Sequence, residues 1–92
     1  HDNYPNPFNP STKIEYEVPV RSHVRLAVYD ILGQLVRTLV NSDHSNGRYS
    51  VAWDGTNETG RQVASGMYIY RLEAGDRSGS ATILSRKMMF LK

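Results

Sequence analysis

Ninety-two residues, a net charge of +2 and no cysteine set the first limits. A chain of this length makes one domain with a modest core, and without thiols it has no disulfides, thiolate zinc sites or cysteine nucleophiles. The eleven lysines and arginines are scattered among nine acids, so nucleic acid is not an expected partner, and no apolar run approaches the ~18–20 residues of a membrane-spanning helix.

The chain opens at His1 with neither methionine nor signal peptide, as a piece cut from a longer precursor would. Residues 1–11 form a proline- and asparagine-rich lead-in. Pro5, Pro7 and Pro10 each fix their own φ and push their predecessors toward extended backbone, while Tyr4 and Phe8 are available to anchor the segment. The domain proper is expected over 12–92.

From Thr12 the pattern alternates. Ile14, Tyr16 and Val18 point one way and Lys13, Glu15 and Glu17 the other, as in a half-buried strand. Val24, Leu26 and Val28 repeat this across 23–29, which turns Arg25 and Ala27 outward and puts Arg25 within reach of Glu15 or Glu17 on a neighbouring strand. Asp30-Ile31-Leu32-Gly33 reads as a turn with an aspartate cap and a closing glycine.

Gln34 to Val40 suits a strand or a short helix, and 41–47 reads as a polar loop. Tyr49, Val51 and Trp53 share one face of a strand over 47–53, closed by Asp54-Gly55. A loop follows to Gly66, then a strand over 67–73 and a turn over 74–79. In the last strand, from about Ser80 to Leu91, one phase buries Leu84, Met88 and Phe90, the other Ile83, Met89 and Leu91. A bulge near 85–87 would let it change face. Six or seven short strands at roughly ten-residue spacing indicate an all-β sandwich or barrel rather than alternating β and α units.

Catalytic patterns are weak. Asp43-His44-Ser45 are consecutive, whereas the groups of a catalytic triad converge from separate segments. Glu15 and Glu17 stand ~7 Å apart on one strand face, where a solvated surface is the simpler reading than a glycosidase pair. His1, His23 and His44 lack paired zinc-ligand spacing. Asp54, Asn57 and Glu58 offer oxygens in a tight loop and are a weak calcium candidate, without EF-hand spacing. Asn57-Glu58-Thr59 matches the glycosylation sequon. Trp53, Tyr68 and Tyr70 read as core rather than as a sugar-stacking platform. No cofactor and no enzymatic activity are expected.

Asn3-Tyr4-Pro5-Asn6-Pro7-Phe8-Asn9-Pro10-Ser11-Thr12 resembles the opening of the type A C-terminal sorting domain of type IX secretion cargo. Val28-Tyr29-Asp30-Ile31-Leu32-Gly33, Trp53-Asp54-Gly55, Gly66-Met67-Tyr68 and Lys87-Met88-Met89-Phe90-Leu91-Lys92 match its later landmarks. The middle section is also similar to the immunoglobulin-like domain of the flagellar hook-capping protein. The resemblance implies a seven-stranded immunoglobulin-like sandwich at the C-terminus of an exported bacterial protein, reaching the cell surface through periplasm and outer membrane. Its implied partners are the outer-membrane secretion machinery, a surface sortase and an upstream cargo domain of the same precursor. The implied recognition element is Gly66, Met67 and Tyr68 with Arg86, Lys87, Met88, Met89, Phe90, Leu91 and Lys92. The alternative is a structural or carbohydrate-associated accessory domain of a secreted enzyme.

Overall fold

Alternating apolar residues bring two antiparallel sheets together face to face in a computed structural model that describes residues 11–76, 79 and 81–91. The strands are β1 (Thr12–Val18), β2 (Ser22–Asp30), β3 (Leu35–His44), β4 (Gly47–Trp53), β5 (Gly66–Gly75) and β6 (Ala81–Phe90). β1 and β4 make one sheet; the other has the order β3-β2-β5-β6. The described residues thus hold six strands and no helix, rather than about seven strands. The lead-in over 1–10, with Tyr4 and Phe8, lies outside them.

The inward face of β1 carries Ile14, Tyr16 and Val18, which pack on Val24 and Leu26 of β2 and Leu72 of β5. Nearer the other end, Trp53, Tyr68 and Phe90 meet Val28 and Val36. Burying a large apolar side chain contributes roughly 1.5–3 kcal/mol, so these two clusters supply most of what offsets chain ordering in a domain without disulfides. At the first cluster's edge, the Tyr16 hydroxyl meets His44 Nε2 at 2.9 Å and His44 packs on the Tyr49 ring, centroids 4.3 Å apart.

Several expectations change. β1 pairs with β4, not β2, so Arg25 faces Glu73, its Nη1 3.9 Å from the carboxylate, while Glu17 meets Arg48. In a sandwich, consecutive strands can lie in different sheets, which alternation alone does not reveal. Ala27 is fully covered rather than outward; it lies between Thr38 and Arg71 in register, beside a slip in the β2–β3 ladder. Asn41 to His44 continue β3 instead of forming a loop. The side chains of Asn41, Ser42 and Asp43 stay in water while the backbone pairs with β2, and His23 bridges Asp43 (2.8 Å) and Asn41 (2.7 Å). β5 likewise continues to Gly75.

β6 pairs with β5 over ten positions without a register shift, so the bulge near 85–87 is absent. Phe90 points inward and is buried, Met88 is half-buried, and Ile83, Met89 and Leu91 are exposed. The phase containing Leu84, Met88 and Phe90 faces inward, although Leu84 itself keeps 37% of its surface in water.

Gly55 has φ +79°, and a Cβ there would lie 2.0 Å from Phe90 Cζ. Gly33 also has positive φ, +84°, but nothing lies within 4 Å of its would-be Cβ. Gly55→Ala is therefore expected to cost about 2–4 kcal/mol from overpacking plus backbone strain. Gly33→Ala is expected to cost only about 1–2 kcal/mol, from strain alone. Urea unfolding of both variants checks the ranking.

The hydrogen bond to Asp43, then that to Asn41, raises the His23 pKa above its ordinary 6.5. A raised folded-state pKa contributes stability that is complete below the unfolded value and is lost as pH rises through the folded one. Thermal midpoints of the native chain are expected to contain a small decline as pH rises above about 6.5. The expected His23→Gln difference from the native chain is largest below that pH and shrinks above it.

Candidate functional site

The two segments singled out as a recognition element are far apart in sequence and adjacent in space. The register pairs Gly66 with Phe90, Met67 with Met89, and Tyr68 with Met88. Alternation divides them between faces. Tyr68 and Phe90 enter the core, while Met67 and Met89 form an exposed cross-strand pair, 41% and 53% accessible. Lys87 lies on the outer side opposite Ile69, and Arg86 on the inner side opposite Tyr70. Leu91 is exposed, and Lys92 lies outside the described residues.

Three aromatic rings anchor this end. Trp53 meets Tyr68 edge-on with centroids 5.2 Å apart and Phe90 at 5.0 Å; Tyr68 and Phe90 are T-shaped at 6.5 Å. The polar tips are satisfied: Trp53 Nε1 donates to the Thr56 carbonyl (3.0 Å) and the Tyr68 hydroxyl to the Ala64 carbonyl (2.7 Å). Burial, then the charge of Asp30, raises the Tyr68 pKa. The Phe90 ring lies directly on Gly55, a contact that a reading of Trp53-Asp54-Gly55 as a turn does not reveal.

The two edges of the four-stranded sheet differ. The loop after β4 is stitched to β3: Glu58 N donates to Val36 O (3.0 Å), Thr38 N to Glu58 Oε1 (3.0 Å), and Arg37 Nη1 to Thr56 Oγ1 (2.6 Å). β6, among the described residues, pairs with β5 alone. Its first seven residues are all exposed. On its inner side, Leu84, Arg86 and Tyr70 share a groove of about 510 Å³ with Glu15 and Glu17. Those carboxylates are already engaged, Glu15 by Lys13 and Glu17 by Arg48.

The calcium candidate does not gather. Asp54 Oδ1 accepts from Thr56 N and Oγ1, Asn57 Oδ1 from Thr59 and Arg61 N–H groups, and Glu58 reaches β3. The Thr56 hydroxyl holds the Asp54 pKa below the usual value. Among the described residues no cluster of three His, Asp or Glu side chains converges. Asp43 and His44 diverge to His23 and Tyr16, so Asp43-His44-Ser45 forms no relay.

The FlgD Ig-like domain family matches residues 9–78. No curated protein matches the sequence significantly. FlgD from P. aeruginosa superposes with a TM-score of 0.72 at 25% identity, over 87% of this chain and 61% of that one. FlgD from Xanthomonas campestris gives 0.68 at 27%, over 84% and 56%. The chain thus spans less than two thirds of either FlgD. Dimeric latent PorU from Porphyromonas gingivalis shares the fold, with a TM-score of 0.67 at 23% identity over 94% of this chain and 8% of PorU. An all-β sandwich with these neighbours is immunoglobulin-like, and the chain belongs to the FlgD Ig-like domain family.

Proposed function

We propose that this domain is a non-catalytic sorting and anchoring module of an exported bacterial protein, read by outer-membrane type IX secretion machinery. The observation that carries the reading is the open edge of β6. Among the described residues β6 pairs with β5 alone, beside the exposed Met67–Met89 pair, while the opposite edge is stitched to a loop. An exposed strand edge is a template for pairing with another chain. The resemblance of the Asn3–Thr12 opening and the Lys87–Lys92 ending to type A sorting domains supports the same reading. The proposed partners are the translocon, a surface sortase and the upstream cargo, and the proposed destination is the cell surface.

A second reading follows from the family match. The X. campestris FlgD structure is described in terms of hook capping essential for flagellar assembly, and this domain would then be a structural part of a hook cap. The deciding experiment places residues 1–92 at the C-terminus of a fluorescent reporter in a bacterium with the type IX system. Surface reporter that is lost on deleting 87–92 is the expected result. Retention in the periplasm, together with restored swimming when the domain replaces that of P. aeruginosa FlgD, would overturn it in favour of the hook cap.

A further inference from the structure

The exposed edge of β6 carries a charge pattern that restricts what can pair with it. Arg86 and Lys87 are consecutive in the middle of the strand, so one cation lies on each face. Among the described residues neither forms an ion pair: Arg25 and Arg71 share Glu73, and Glu15 and Glu17 are taken by Lys13 and Arg48. Apolar side chains flank the cations on both sides, Ile83 and Leu84 before and Met88 and Met89 after. In an antiparallel pair, directly opposed residues interact strongly, and like charges opposite one another destabilise it. A second β6 centred on this one brings four cations together at the seam.

We infer, resting on the proposed sorting reading, that the β6 edge accepts an extended strand whose central residues are carboxylates flanked by apolar residues. It does not accept a second copy of this chain. Backbone pairing along β6 provides the attachment. A carboxylate on each face of the incoming strand meets Arg86 in the groove beside Tyr70 and Lys87 beside Ile69. The flanking apolar residues cover Ile83 and Met89, which stand 58% and 53% in water. The cations thus act as a selection device, excluding self-pairing and admitting an acidic partner.

The test uses the isotopically labelled 92-residue chain and a ten-residue capped peptide, matched to β6 in length, of Val, Ile and Thr around a central Glu-Asp. Its controls have Lys-Lys at the centre or N-methylated backbone amides. The expected result is amide shifts confined to β6 and adjoining β5, with the acidic peptide bound about tenfold or more tightly than the Lys-Lys peptide at low salt. That difference should narrow as salt shortens the screening length toward ~3 Å, and the N-methylated peptide should fail. Arg86→Ser with Lys87→Ser should erase the acid preference while the spectrum elsewhere keeps its dispersion. Equal affinity for both peptides, shifts away from β6, or self-association of the native chain through β6 would each overturn the inference. Surface export lost on deleting 87–92 but no acid preference would leave the sorting reading standing and remove only this one.

Discussion

Phe90 resting on Gly55, with Trp53 and Tyr68 around it, is the contact on which the rest of the arrangement depends. Those four residues come from the end of the small sheet, the loop after it, the start of β5 and the end of β6. One cluster therefore joins both sheets and fixes the last strand in register. It works because residue 55 has no Cβ, so an aromatic ring can lie against bare backbone. The remainder of β6 contributes little burial, and without this plug its pairing with β5 would stand alone against the conformational entropy of ordering the strand.

That economy explains how one strand can belong to the fold and still face outward. Among the described residues two strands cover four, and the inward side chains of the smaller sheet are concentrated over β2 and β5. Leu84 and Arg86 consequently remain accessible on the side of β6 that would be core in a fully covered sheet. The opposite edge is managed differently, by hydrogen bonds from the loop after β4. Long exposed edges invite aggregation unless charges interrupt them, and Arg86 and Lys87 interrupt this one.

Much of this was readable from local pattern. Period-two alternation identified β1 and β4 within a residue, because each has one polar and one apolar face. The Asp30 turn was equally plain: its carboxylate accepts from the N–H groups of Leu32 and Gln34, both at 2.9 Å, a local geometry that aspartate favours. Asn41 to His44 read as a loop because four polar residues carry no apolar rhythm, and the pairing of His23 with Asp43 is visible only once two strands are side by side. Of the residues proposed for recognition, the family resemblance names the two segments, but no spacing rule places Met67 beside Met89.

By itself, then, the order of residues determined the all-β class, most strand positions, the turn chemistry and the large aromatics of the core, since each follows from contacts between neighbours along the chain. Strand partnership, the inward phase of β6, the burial of Ala27 and the reach of Glu58 to the β3 backbone were decided by tertiary structure. These depend on which distant segments meet, and in a sandwich that is settled by the packing of whole sheets rather than by any local preference.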